Sequence, residues 1–237
     1  MTGAVRFEDV TNLASGATLY REVLFPIHCT KGFSDSVQEF FNRSECSGMV
    51  VWLDRAMIEF ALDQLQEHEQ LHLGVNLSYT TIAFFGHSIV RRVKAAGKRI
   101  ARRLIVEITE TALTRNEFKS GQVFADLRQL GVRIAIDDFG AGHHNGPVPS
   151  IGKMTPDIIK IDGGVIRNYS TQSNQRRIES AVSYGRKTGA AVIAEHIESR
   201  DILDAVTQMG IIYGQGHLVG AAGGYRRMHE NTRKSIF

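Results

Sequence analysis

The sequence predicts an α/β fold in which parallel strands lie buried behind helices. Short apolar segments alternate with longer amphipathic ones along most of the chain, which is the pattern of repeated strand–helix units. The 237 residues are 43% hydrophobic and 22% charged, enough for one sizeable core, and this excludes the disordered and small disulfide-rich classes. Successive apolar segments also end in polar side chains able to do chemistry, as they would where barrel strands open onto one face. The units suffice to close a barrel, and a doubly wound open sheet is the main alternative.

The elements follow from spacing. Leu53, Ala56, Met57, Phe60 and Ala61 recur at helical intervals, with Asp54, Glu59, Asp63 and Gln64 between them. A strand is expected over Leu71–Leu77, then a helix over about Thr80–Lys98 closed by Gly97. Next come a strand over Arg103–Ile108, a helix over about Arg115–Leu130 ended by Gly131, and a strand over Val132–Ile136 leading into a glycine-rich loop. A strand over Ile158–Ile161 precedes a helix over about Gln175–Lys187. A strand over Ala190–Ala194, a short helix near Ile202–Met209 and a last strand around Ile211–Tyr213 complete the series.

What ends each strand carries the functional reading. Asn76 follows Leu73-Gly-Val75, Glu107 follows Leu104-Ile-Val106, and Asp137-Asp138 follow Ile134-Ala-Ile136. Lys160 follows Ile158-Ile159, Glu195 follows Val192-Ile193-Ala194, and Gln215 lies just beyond Ile212-Tyr213. One polar residue at a strand end is ordinarily a cap or turn former, but glutamate, lysine and glutamine are rarely caps. Carboxylates gathered in a barrel mouth repel unless a cation sits among them, and Glu, Asp and Asn oxygens suit Mg²⁺ or Mn²⁺. Adjacent carboxylates such as Asp137-Asp138 suit two-metal phosphodiester chemistry. Spacing leaves the substrate open: a metal-dependent enolization barrel with Lys160 as base fits the same residues.

Other classes recede. Cys29 and Cys46 make neither a disulfide framework nor a cysteine zinc site, which suggests a reducing compartment. Glu8 and Asp9 stand where a signal peptide needs an apolar run, and no apolar stretch is long enough for a membrane span. The expected location is the cytoplasm, with no membrane partner. The formal net charge of +3 does not imply nucleic acid, and the basic stretch Arg226-Arg227 to Lys234 reads as a solvated terminus. Gly140-Ala-Gly142 fails as a dinucleotide-cofactor fingerprint because two aspartates precede it. His143-His144 lack a spaced partner for a zinc site.

Taken together, the ordered motifs Glu107-Ile-Thr-Glu110, Asp137-Asp-Phe-Gly-Ala-Gly142, Asp157-Ile-Ile-Lys160-Ile-Asp162 and Ala194-Glu-His-Ile-Glu198 closely resemble the EAL-domain family of cyclic di-GMP phosphodiesterases. Val75-Asn-Leu-Ser78 and Tyr213-Gly-Gln-Gly216 fit two further segments of that family, and Glu22-Val23-Leu24 fits its signature with valine for alanine. The match runs from about Phe7 to Gly216, so residues 1–237 are expected to form one domain with a divergent basic tail from 217. The resemblance implies a modified (β/α)₈ TIM-type barrel whose first strand is antiparallel to the others.

It also implies roles. Glu22, Asn76, Glu107 and Asp137 look like ligands of one ion, and Asp137 would bridge to a second held by Asp138 and Glu195. Lys160 would meet the attacking water and phosphate, Gln215 would bond within that shell, and Glu110 would anchor the loop after Asp137-Asp138. Leu24 and Asp162 fall at positions implied to contact substrate. The expected cofactors are one or two Mg²⁺ or Mn²⁺ ions, with Ca²⁺ binding without turnover. The expected partners are cyclic di-GMP, a second copy in a homodimer and a regulatory protein, since no sensory, receiver or cyclase domain is read in the sequence.

The departures lie around the substrate. Leu24-Phe25-Pro26 puts proline where many members carry a phosphate-gripping arginine, which predicts reduced activity. Glu8-Asp9 replaces Gln-Pro, His196 replaces a glycine, and His143-His144-Asn145 replaces aromatic-Ser-Ser. The primary expectation is a phosphodiesterase that opens cyclic di-GMP to the linear dinucleotide. The alternative is a weak or inactive module that binds cyclic di-GMP or a protein partner.

Overall fold

The computed structural model describes residues 5–24, 49–110, 117–142, 148 and 155–220. Phe25, Pro26, Cys29, Cys46, Arg115, His143, His144, Asn145 and the basic stretch from Arg226 lie outside the described residues.

Eight strands close into a barrel in chain order, which decides between the barrel and the open sheet. Strands β1 (Arg6–Asn12) and β2 (Thr18–Leu24) form an antiparallel pair, joined by a turn with Gly16 at φ +70°. Then come α1 (Met49–Glu67), β3 (Leu73–Asn76), α2 (Tyr79–Ala96), the short α3 (Lys98–Ala101) and β4 (Leu104–Thr109). After these come α4 (Glu117–Leu130), β5 (Arg133–Phe139), β6 (Ile158–Ile161), α5 (Gly163–Arg167) and α6 (Gln172–Thr188). Finally β7 (Ala191–Ala194), α7 (Arg200–Gln208) and the two-residue β8 (Tyr213–Gly214) complete the circuit. Strands β2 to β8 pair in parallel, whereas β1 is antiparallel to both β2 and β8. The antiparallel first strand therefore stands as expected.

Pleating sorts the side chains into two cores. Val10, Tyr20, Ile105, Ala135, Ile158 and Ile193 fill the barrel interior. Their neighbours along the strands, such as Val23, Leu104, Val106, Ile134, Ile136, Ile159 and Ile161, pack outward with the helices in the larger core. The inward series continues two residues further toward the C-terminal ends: Tyr20 to Glu22, Ile105 to Glu107, Ala135 to Asp137, Ile158 to Lys160, Ile193 to Glu195. The alternation that fills the barrel with apolar groups thus delivers the polar ones to its mouth.

Several element bounds differ from the sequence reading. Strand β5 runs on through Asp137, Asp138 and Phe139 instead of stopping at Ile136, because the chain keeps pairing with β6 across a register shift between Ile136 and Phe139. The last strand is Tyr213–Gly214 instead of Ile211–Tyr213. Helix α2 stops at Ala96, where Gly97 at φ +93° breaks it and starts α3. The short α5 was not anticipated: Asp162 nucleates it, its Oδ1 accepting from Gly164 N at 2.9 Å and Val165 N at 3.2 Å. At the opposite end of the barrel, buried Arg103 donates to the carbonyls of Leu65 (2.5 Å), His68 (2.6 Å), Leu71 (3.2 Å) and Arg99 (3.3 Å), tying the end of α1 to β4.

Candidate active site

Lys160 lies at the centre of the mouth and is 1% exposed. Its ammonium lies 2.8 Å from Glu107 Oε2, 2.9 Å from Asp137 Oδ1, 2.9 Å from Glu195 Oε1 and 3.0 Å from Glu22 Oε2. Four strand ends on different parts of the barrel wall thus converge on one cation. The sequence reading required a cation among these carboxylates; the chain supplies one of its own, though one ammonium leaves three negative charges uncompensated if all four are ionised.

Polar neighbours fix Glu22. Asn76 Nδ2 donates to Glu22 Oε1 at 2.7 Å, and Gln215 Nε2 donates to Glu22 Oε2 at 2.8 Å. Burial pushes the Glu22 carboxyl up, but Lys160, Gln215 and Asn76 outweigh it and hold the group below its usual value. Among the described residues, Glu107 has no such amide donor. Burial, with Glu22 and Asp137 nearby, pushes it up to about 8 against the opposing pull of Lys160. Glu195 is likewise raised well above the usual carboxylate value by burial. Asp138 is pushed up to about 6, first by burial and then by the charge of Asp137. Lys160 is raised well above its ordinary value, since the surrounding carboxylates overcome the burial that opposes its charge.

The backbone of β5 brings both aspartates to the mouth. A regular pleat would send residues 137 and 138 to opposite faces. Asp138 instead adopts φ +55°, the left-handed region, at the register shift. Just beyond it, Gly140 takes φ +87° and its N–H donates to Glu110 Oε2 at 2.9 Å. Ser78, after Asn76, caps α2 through Thr81 N at 3.2 Å and donates its hydroxyl to Asp54 of α1 at 2.6 Å, which holds the end of β3.

Two groups of ligand atoms result, each closer together than 4.8 Å: Glu22, Glu107 and Asp137, and Asp137, Asp138 and Glu195. Asp137 belongs to both. Glu107 Oε1 and Oε2 and Asp137 Oδ1 are buried without a hydrogen-bond partner, and Lys160 meets Glu107 Oε2 and Asp137 Oδ1 as an ion pair. Orphaned carboxylate oxygens, surplus negative charge and an all-oxygen donor set fit divalent ions such as Mg²⁺, Mn²⁺ or Ca²⁺.

Not all of the expected residues share this centre. Leu24 is the half-buried last residue of β2, beyond Glu22 on the same face, and the Asp162 carboxylate is engaged in capping α5. Two residues of the site escaped the sequence reading. The buried Tyr20 lies beneath the cluster with its hydroxyl unpartnered, and burial and Glu107 raise its pKa well above the ordinary value. Gly74 makes room for Glu107 itself: a Cβ there would stand 2.1 Å from Glu107 Oε1 and 2.6 Å from the Tyr20 ring. Tyr20 was detectable from its position two residues before Glu22, whereas Gly74 carried no signal beyond being a glycine in a strand.

Comparison with known proteins places this geometry. A family model described as the EAL domain matches residues 2–222. The chain belongs to the EAL domain family. The EAL chain is 30% identical over 176 residues to Cyclic di-GMP phosphodiesterase PdeF of Escherichia coli (strain K12), which covers 73% of this chain and 23% of that protein. Among solved structures it is similar to the PaMucR phosphodiesterase in complex with c-di-GMP, with TM-score 0.80 and 22% identity, covering 96% of this chain and 98% of that one. It is also similar to Klebsiella pneumoniae BlrP1 in a manganese/cy-diGMP complex, with TM-score 0.73 and 23% identity, covering 93% of this chain and 56% of that one. These two likenesses establish the shared barrel. The EAL chain spans about a quarter of the length of the curated relatives it matches. Among the described residues, no helix is long and apolar enough to cross a membrane.

Proposed function

We propose that this EAL barrel hydrolyses cyclic di-GMP to the linear dinucleotide with one or two Mg²⁺ or Mn²⁺ ions. The observation that carries the reading is the pair of carboxylate groups sharing Asp137 around the buried Lys160. Glu22, Asn76, Glu107 and Asp137 would hold one ion, and Asp137, Asp138 and Glu195 the other. A divalent ion there supplies charge neutralisation and makes water a stronger nucleophile at neutral pH. Lys160 stabilises negative charge building on the phosphoryl oxygens as water attacks and the ester oxygen departs, an electrostatic role that needs a fixed, buried cation. Gln215 and Asn76 hold Glu22 in one orientation, and one of the two carboxylates Asp138 and Glu195 would accept the single proton of the attacking water. Leu24 and Asp162 line the approach of the dinucleotide. Homodimerisation through the loop that Glu110 anchors, control by a separate protein and a cytoplasmic setting belong to the same reading.

A second reading is a module that binds cyclic di-GMP or a protein without turnover. Glu8 supports it: it pairs directly opposite Glu22 in the antiparallel register, on the same face and half-buried, where it would repel an anionic ligand. Pro26, in place of a guanidinium, points the same way.

Incubating the protein with cyclic di-GMP and Mg²⁺ or Mn²⁺, then separating linear from cyclic dinucleotide by chromatography, tests the first reading. Metal-dependent linear product is expected, and Glu22→Ala or Lys160→Ala should lower its rate by about a hundredfold or more. No linear product at high protein concentration would refute the enzymatic reading. Calorimetry with Ca²⁺ and the dinucleotide would then separate a receptor from a protein-interaction module.

A further inference from the structure

At the end of the barrel opposite the carboxylate cluster, the alternation that delivered acids to the mouth delivers bases. On β4 the positions of Glu107 and Ile105 continue down to Arg103, and on β5 those of Asp137 and Ala135 continue to Arg133. On β3 the same series runs from Asn76 through Gly74 to His72. Strand pairing reaches this far: Arg21 N donates to His72 O at 3.0 Å, and Leu73 N donates to Arg103 O at 2.9 Å. Leu73 stands opposite Leu104 and Ile105 opposite Arg133, so His72 and Arg133 flank β4 on its two sides. Three basic residues on three neighbouring strands therefore gather at the base.

Their partners differ. Arg103 has its donors engaged by the four carbonyls already described. Arg133 is half-buried, and among the described residues its guanidinium has neither a hydrogen bond nor an ion pair. The nearby acid Asp157 is already taken, by Arg128 Nη2 at 2.6 Å and by Ile134 N at 2.9 Å. His72 is half-buried as well, and its Nδ1 is shut away from solvent with no partner. Burial, then the charges of Arg133 and Arg103, hold this imidazole below its ordinary value. Burial also lowers the Arg133 guanidinium, and the opposing pull of Tyr20, Asp157 and Tyr213 does not offset it. Cations that repel one another, with no free carboxylate beside them, lack the negative charge that the mouth has in surplus.

We propose that Arg133 and His72 form a binding site for an oxyanion of the phosphate class at the base of the barrel. A tetrahedral anion can accept the guanidinium fork from β5 and the imidazole N–H from the β3 side at once, and its charge relieves the repulsion between the two. Bound there, it would link β3 to β5 across β4 and give the buried Nδ1 its missing partner. The site depends on none of the roles proposed for the carboxylate cluster.

The test is calorimetric titration of inorganic phosphate into the full chain, freed of divalent ions by a chelating resin so that the acidic mouth repels anions. The wild type is expected to bind one equivalent saturably, weakened about tenfold or more in Arg133→Gln and severalfold in His72→Ala. Because Arg133 has no partner in the free protein, Arg133→Gln should keep its melting midpoint when phosphate is absent, which confirms that it folds. Phosphate should raise the midpoint of the wild type, at constant ionic strength, but not that of Arg133→Gln. Absence of saturable binding in the wild type, or equal affinity in all three proteins, would overturn the site. Acetate binding as tightly as phosphate would overturn its assignment to a tetrahedral anion.

Discussion

At Lys160 a single ammonium faces four buried carboxylates. An isolated buried ion pair is weak evidence of stabilisation, because removing the charges from water costs about as much as their attraction returns. The arrangement makes better sense as an electrostatic trap that is deliberately short of positive charge. Glu107, raised to about 8 by burial and its neighbours, holds a proton at neutral pH in the metal-free protein. Its ordinary value is 4.5, so the folded state binds a proton that the unfolded chain lacks; this contribution to stability is complete below pH 4.5 and fades as pH rises through about 8. A divalent ion must displace that proton. Mn²⁺ binding near neutral pH should therefore release protons, seen as a binding heat that changes with the ionisation enthalpy of the buffer. The release should shrink as pH rises past about 8. Identical heats in all buffers at neutral pH would contradict it. The site residues were legible in the sequence because each is a charged or amide group following an apolar run. What the sequence left hidden was their convergence on one ammonium, which depends on the side chain of Lys160 crossing to groups on β2, β4, β5 and β7.

Among the elements, β5 shows most clearly how local structure sets the site. Asp137 and Asp138 were legible as a pair, but a strand ending at Ile136 was the natural reading, since consecutive acids usually mark a loop. The strand continues because pairing with β6 resumes at Phe139, after the shift that lets both carboxylates reach the mouth. Such a bulge arises from tertiary pairing and leaves little trace in composition. Asp138 at φ +55° should tolerate asparagine, which visits this region readily, but not a β-branched residue. Thermal or denaturant unfolding should place Asp138→Asn close to wild type and Asp138→Val about 1–3 kcal/mol lower. Equal stability of the two variants would show that the strain is absent. The β1–β2 hairpin was equally obscure from periodicity alone: its residues Arg6, Glu8, Asp9, Arg21 and Glu22 read as polar, and the family motif alone pointed to strands there.

Over the whole molecule, the closed barrel separates a chemical end from a structural one. At the mouth, charge is concentrated and polar groups are left unpartnered; at the other end Arg103 satisfies four carbonyls at the junction of α1 and β4. Nothing in the sequence distinguished Arg103 from Arg99 or Arg102, because its role comes from where the end of α1 happens to fall. Arg103→Met should strand those carbonyls and lower stability by about 2–4 kcal/mol in denaturant unfolding, with Mn²⁺ affinity in the surviving folded protein unchanged. A loss of metal affinity without a loss of stability would show that the two ends are not separate. The barrel class itself was legible from the strand–helix alternation, and closure over an open sheet became certain only through the pairing of β1 with β8.

The claim on which the rest depends is that the carboxylates gathered around Lys160 seat a divalent cation. Titrating Mn²⁺ into the wild type and into Glu107→Gln, which keeps the size of the side chain while removing its charge, tests it most directly. Saturable binding by the wild type, weakened about tenfold or more in Glu107→Gln, is the predicted result. Equal Mn²⁺ affinity in the two proteins, or no saturable binding in the wild type, would contradict it.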